Sequence, residues 1–243
     1  MKGVILGIAP KATIVDLTHE VPPQDVRAGS YLLRTALAHF PPGTVHVAVV
    51  DPGVGTERRP LLVETAAAFF VAPDNGLLSL AVTATEVIRV RDVSRSRYLR
   101  RPISRSFHGR DVFAPVAAHL AAGADPESLG RPVRGMIRLR PRAARRRRGA
   151  LVGHVIWVDR FGNLITDIAR DDLVSAGGFC GRGLSVTIAG CAVPLRRSYA
   201  SVRAGRALAL VNSADLIEIA VNQGSAAAAL GVERGAPVVV GRV

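Results

Sequence analysis

VHVAVVDPGVGTERR, residues 45–59, decides the fold. Val45 to Val50 is a near-continuous apolar run, as expected of a strand covered on both faces. It ends in Asp51, followed by a proline, two spaced glycines and a pair of arginines. A strand that delivers a carboxylate into a flexible loop beside a guanidinium is typical of an α/β sheet. There, ligands sit outside the carboxyl ends of strands.

Upstream, Val4–Ile8 and Thr13–Leu17 read as strands. VPPQDVRAGSYLLRTALAHF has Asp25 as its helix cap, with Val26, Tyr31, Leu32, Leu33 and Leu37 at helical spacing, and PPG at 41–43 breaks it. Downstream, residues 61–71 are expected to hold a strand pair, 77–83 a helix and 87–90 a strand. DVFAPVAAHLAA, 111–122, is predicted helical, with Gly123 as its stop. This rhythm implies an α/β domain with helices on a central sheet, over residues 1–135.

After Gly149 the texture changes. ALVGHVIWVD, LITDI, LSVTIAG, CAVPLR, LALVNS, LIEIAV and APVVVGRV are short β-type runs between turns. They predict a small all-β, barrel-like domain over 150–243. An Arg-rich linker, 136–149, is expected between the two domains.

The chain has 243 residues and a net charge of +13. Nine arginines fall in 131–148, and the remainder carries only +4. The run reads as a solvated linker, and nucleic-acid binding is not expected, because no aromatics or known binding module accompany it. No apolar run is long enough to cross a bilayer, and no signal peptide is evident, so a cytoplasmic protein is expected. Cys180 and Cys191 lie among apolar residues and read as inert buried thiols. No metal-type spacing is present, so no metal is expected.

Polar residues gather at the ends of the strand-like runs: Asp16 and His19, Asp51, Asp74 and Asn75, FHGRD at 107–111, Asp159 and Asn163. Each has an ordinary explanation, Asp74-Asn75-Gly76 as a turn and Asp111 as a helix cap. The dinucleotide fingerprint, the P-loop and the nucleophile elbow are all absent.

As a set, IVDLTHEVPPQDVRAGSYLL, FPPGTVHVAVVDPGVGTERR, FVAPDNGLLS, FHGRDVFAPVAAHLAAG, VDRFGNLITDI and NSADLIEIAVNQGSAA resemble the S-adenosyl-L-methionine (SAM) hydroxide adenosyltransferases, or SAM hydrolases. These are relatives of the SAM-dependent fluorinases and chlorinases. The resemblance implies attack of water or hydroxide on the ribose C5′ of SAM, giving adenosine and L-methionine. SAM is the substrate and no cofactor is implied. By motif, the catalytic set falls on Asp51, Arg58 and His108. Asp51 or His108 can accept a proton and Arg58 can stabilise developing hydroxide. The sequence leaves the base open.

For substrate binding, the resemblance points to Asp159 and Asn163 at the methionine ends, Phe161 packed on the ligand, Ser213 on the methionine, and the backbone of Val221 to Gln223 at the adenine. It also implies a homotrimer with sites between subunits.

The halogenase relatives carry a Tyr and a Thr-type loop where this chain has Asp51 and Val54, and a halide-binding serine where it has Gly109. A carboxylate repels halide, so hydrolysis is the expected chemistry. An aromatic residue stands in relatives near Gln24. The resemblance further implies a preceding strand with a TDFG-type motif whose aspartate holds the ribose. The sequence begins at MKGVI, so the expectation is a start assigned too far downstream. If the short form is genuine, a non-catalytic SAM or adenosine binder is the alternative.

Overall fold

The computed structural model describes residues 1–83, 86–139, 144–147, 149–175 and 184–242. The chain divides into two compact units, Met1–Arg140 and Pro141–Val243. The whole is a sheet-rich α/β structure in which the second unit forms a nearly closed, barrel-like sheet.

In the first unit, α1 (Lys2–Ile8) and α2 (Val26–Leu37) precede β1 (Thr44–Val47), β2 (Pro60–Thr65), β3 (Ala68–Pro73) and β4 (Val87–Asp92). A π-helical turn, Gly109–Phe113, leads into α3 (Ala114–Ala121), then α4 (Pro126–Leu129) and β5 (Arg131–Pro132). The sheet order is β1-β3-β2-β4-β5, with β1 parallel to β3 and the other pairs antiparallel. Successive side chains of a strand point to opposite faces. Leu62 and Val71 therefore join Phe113, Val116 and Leu129 on one face. Leu61, Val63, Phe70 and Ala72 join Leu33 of α2 and the loop residues Leu77 and Leu78 on the other. That double burial is why the strands read as unbroken apolar runs.

Several local expectations hold. Asp25 caps α2, its carboxylate accepting from the Ala28 amide at 2.9 Å. Residues 61–71 fall within the β2–β3 hairpin. Gly123, at φ +92°, ends α3.

Others are corrected. Val4–Ile8 is helical, because the Met1 carbonyl accepts from the Val4 and Ile5 amides at 2.9 and 3.1 Å. A short apolar run does not distinguish the two states by itself. Thr13–Leu17 has no regular structure. Residues 77–83 form turns instead of a helix, since side chains take their amides. Asn75 Oδ1 accepts from the Leu77 amide at 3.1 Å and Ser30 Oγ from the Leu80 amide at 3.0 Å. The ladder of β1 stops at Val47, although the Ala48 amide still reaches the Val71 carbonyl at 3.1 Å.

The second unit contains β6 (Arg145–Arg147), β7 (Ala150–Val158), β8 (Leu164–Ala169), α5 (Arg170–Ser175), β9 (Leu184–Ile188), β10 (Cys191–Pro194), β11 (Ala207–Val211), β12 (Leu216–Val221), α6 (Ala226–Leu230) and β13 (Pro237–Arg242). The order is β10-β9-β13-β7-β8-β12-β11, with β6 also on β7. A bridge between Leu195 and Ala209 brings the two ends together, with the Arg196 amide 2.7 Å from the Ala209 carbonyl. Val155, Leu164, Val186, Ile188, Ile217, Ile219, Val238 and Val240 fill one core.

The described residues of the Arg-rich segment make specific contacts. Arg131 pairs with Asp92 at 2.9 Å, the Ile137 amide donates to Asp74 at 2.7 Å, and Arg145–Arg147 is an exposed edge strand. Residues 140–143 and 148 lie outside the described residues. Cys191 is exposed at the start of β10 instead of buried, since the edge position leaves it open to solvent. Cys180 lies outside the described residues. No helix among those described is long and apolar enough to cross a membrane.

Candidate active site

The loop after β1 carries Asp51 and returns to β2 through Arg58. Asn75 pins its start, donating from Nδ2 to the Val50 carbonyl at 2.8 Å. Thr56 braces its middle, its hydroxyl donating to the Gly53 carbonyl at 2.7 Å. Gly55 sits at φ +79°, and a Cβ there would lie 2.5 Å from the Arg105 carbonyl oxygen. Only glycine fits both the left-handed backbone and the close approach.

This loop brings Asp51, Arg58 and His108 together. Arg58 Nε donates to both Asp51 oxygens, at 2.9 and 3.0 Å, and Nη2 donates to Oδ2 as well. The same Nη2 lies 2.7 Å from His108 Nδ1. The two side chains of the ion pair are 8% and 5% exposed. The Arg58 guanidinium also stands over the Phe113 ring, 5.2 Å from its centroid.

A guanidinium has no acceptor, so His108 Nδ1 must accept through its lone pair. The proton of the neutral ring then sits on Nε2. Burial and the positive charge of Arg58 lower the His108 pKa, only partly opposed by Asp51 and Asp111. His108 is therefore a neutral Nε2–H donor at pH 7. Arg58 Nη1 is buried with no partner among the described residues. The cluster thus presents one carboxylate, one neutral imidazole N–H and a guanidinium Nη1 whose two N–H groups have no partner among the described residues.

Asp111 is not a helix cap. It is fully buried within the π-helical turn, where Arg110 binds it through two nitrogens at 2.7 and 2.8 Å and the Ser104 amide donates at 2.9 Å. These bonds hold its pKa down at about 2, led by Arg110. Asp74 is likewise structural, buried and held by Arg59 at 2.9 Å. The partners of Asp16 are Lys2 and, at 3.3 Å, His19, all at the surface. Gln24 lies in an exposed turn at φ +67°.

The second unit organises the remaining predicted residues. Asp159 Oδ1 accepts from the Phe161 and Asn163 amides, both at 2.9 Å, and Oδ2 from Asn163 Nδ2 at 2.9 Å. Gly162 permits this turn at φ +80°, where a Cβ would meet Ser225 Oγ at 2.0 Å. Phe161 is left 66% exposed, an apolar ring with no core to bury it. Ser213 is exposed in the turn before β12. Val221 ends that strand, and Gln223 follows at φ +56°.

Two residues near Asp159 escaped the sequence reading. Glu218 is buried, and the Tyr199 hydroxyl donates to it at 2.6 Å. Burial raises both pKa values. The Asp159 charge pushes Glu218 further up, while its bonds to Tyr199 and Asn212 pull the other way. A lone carboxylate inside LIEIAV was the available signal.

Residues 1–130 match the family model described as the SAM hydroxide adenosyltransferase N-terminal domain, and residues 153–239 match the corresponding C-terminal domain. The chain is 42% identical to an (R)-S-adenosyl-L-methionine hydrolase of Thermus thermophilus, over 98% of this chain and 91% of that protein. Identity to a fluorinase of Nocardia brasiliensis is 28%, over 98% and 90%. The crystal structure of an uncharacterized conserved protein from Thermotoga maritima superposes with a TM-score of 0.92 at 36% identity, covering 99% of this chain and 93% of that one. With both domain models matched in order, the chain belongs to the SAM hydroxide adenosyltransferase family.

Proposed function

We propose that the protein hydrolyses SAM to adenosine and L-methionine at the Asp51–Arg58–His108 cluster. The observation that carries this is the buried Asp51 carboxylate held by Arg58, which in turn fixes His108 as a neutral imidazole.

Water gives a proton to Asp51, the one member of the cluster with acceptor capacity to spare. His108 has committed its lone pair to Arg58, and Arg58 only donates. The resulting hydroxide has three lone pairs. One of them attacks C5′, and the neighbouring guanidinium charge of Arg58 favours the anion. As the C5′–O bond forms, the C5′–S bond breaks, and its electron pair returns to sulfur to give the neutral thioether of methionine. No metal is needed to balance the step. A halide nucleophile is disfavoured by the Asp51 charge. Adenosine formation independent of added chloride or fluoride is expected by chromatography, and a 5′-halogenated nucleoside would overturn the reading.

The methionine and adenine ends are assigned to Asp159, Phe161, Asn163 and Ser213, and to the Val221–Gln223 backbone. Exposure of Phe161 and the tight Asp159 turn support a ligand there. We extend the proposal to a homotrimer with sites between subunits. Its solution mass should be three times the 25.6 kDa chain, and a monomer by light scattering would contradict it.

His108 sets the acid limit. Its folded pKa lies below the ordinary value of 6.5. Between those two values the unfolded chain binds more protons than the folded one. The His108 contribution to stability is therefore steady above pH 6.5 and declines as pH falls from there toward the folded pKa. Turnover declines with it, because a protonated Nδ1 would face the Arg58 donor. A kcat profile flat through pH 7, with an acid limb below the ordinary histidine range, is expected. A limb at or above pH 7 would contradict this charge state.

A further inference from the structure

Asp111 is fully buried, and the proposed reaction makes no use of its charge. A buried carboxylate is costly unless donors meet its oxygens. Oδ1 accepts from Arg110 Nε at 2.7 Å, and Oδ2 from Arg110 Nη2 at 2.8 Å and the Ser104 amide at 2.9 Å. The Arg110 side chain is 41% exposed, so water can satisfy that guanidinium without Asp111. The bond to Ser104 is the one that ties the carboxylate to another part of the chain.

The π-helical turn explains its placement. The closing bond runs from the Ala114 amide to the Gly109 carbonyl, one residue longer than in an α-helix, and the wider turn carries Asp111 inside. The Asp111 carbonyl accepts from the Arg100 amide at 3.0 Å, and the Phe107 carbonyl accepts from the Arg110 and Asp111 amides at 3.2 and 3.3 Å. The segment 104–108 is thus tied at its start through Ser104 and near its end through Phe107. Between them the Arg105 carbonyl fits against Gly55 of the Asp51 loop, where a Cβ would lie 2.5 Å from its oxygen. His108 ends the segment, its Nδ1 2.7 Å from Arg58 Nη2.

We propose that Asp111 is a positioning residue: by holding the Ser104 amide it seats residues 104–108 on the Asp51 loop and keeps His108 Nδ1 on Arg58. Its effect on turnover rests on the hydrolase reading above, whereas its hold on the ring does not.

The test compares the parent with Asp111→Ala and Asp111→Asn. Each is followed by SAM turnover and by ¹⁵N resonance titration of the His108 ring, assigned with His108→Gln. Alanine removes the acceptor, so kcat per folded molecule should fall about 10–100-fold with KM changed less than about twofold, the signature of a misplaced reacting group. In the parent, burial and Arg58 lower the His108 pKa; released from both in Asp111→Ala, the ring should titrate closer to the ordinary 6.5. Asparagine keeps one oxygen for the Ser104 amide while Arg110 turns to water. It should regain most of the lost kcat and leave the titration low. The charged groups acting on the ring are Arg58, Asp51 and Asp111, with Arg110 and Arg100 acting on Asp111. Glu57, Arg59, Asp92, Arg95 and Arg131 line the hollow beside it and are the same in every variant. If the Asp111 charge alone mattered, both variants would lower the titration alike, since a nearby carboxylate raises a histidine pKa. That result, or an Asp111→Ala protein with parental kcat and titration and only reduced stability, would overturn the proposal. Should Asp111→Ala not fold, Ser104→Pro removes the amide hydrogen at the other end of the bond and carries the same expectations. A parent without turnover whose ring responds in this way would uphold the positioning role and sink the hydrolase reading instead.

Discussion

Asp51→Asn lowers kcat for adenosine release by about 10²–10⁴-fold, the usual contribution of a positioned general base. Asparagine matches aspartate in size and keeps one carbonyl oxygen for Arg58, though it leaves the buried guanidinium charge unpaired and so lowers stability as well. What is lost is the group that takes the proton. His108 cannot replace it, because its Nδ1 lone pair is bound to Arg58 and its Nε2 carries hydrogen. The check is product chromatography on a variant whose circular dichroism matches the parent. Turnover within about threefold of the parent would remove Asp51 from the base role.

Arg58→Ala has the largest expected effect on stability. The Asp51–Arg58 pair is almost wholly buried, and removing one partner strands the other charge. Such truncations cost about 3–5 kcal/mol. Arg58 also packs on Phe113 and supplies the hydrogen bond that fixes the His108 tautomer, so activity disappears as well. The double variant Asp51→Ala/Arg58→Ala should lose less stability than the two single losses added, because no charge is left unpaired. Urea unfolding of the four proteins measures this, and strictly additive losses would contradict a coupled pair.

Much of this site was legible in the residues. The apolar run ending at Asp51 announced a doubly covered strand; β2 and β3 are buried on both faces, whereas β1 is a half-buried edge strand and Val49 beyond it is exposed. The motif set named Asp51, Arg58 and His108, and the fold gathers those three across 57 positions of sequence. The charge state of His108 could not be read, because it depends on which atom of Arg58 faces which ring nitrogen. Asp111 looked like a helix cap because FHGRD precedes a helix, yet a π-helical turn carries it inside. Residues 77–83 look helical by spacing alone, and the amide capture by Asn75 and Ser30 that turns them aside is a tertiary event. The run at 4–8 was ambiguous between strand and helix from the start. Glu218 stood out by charge, but its bond to Tyr199 joins residues 19 apart and is visible only in the folded sheet.

The central claim is attack of water-derived hydroxide on C5′. Its most direct test is incubation of the protein with SAM in ¹⁸O-labelled water, followed by mass analysis of the separated products. Adenosine carrying one ¹⁸O in its 5′-hydroxyl and unlabelled methionine are expected. Label in methionine, unlabelled adenosine, or no adenosine at all would contradict it.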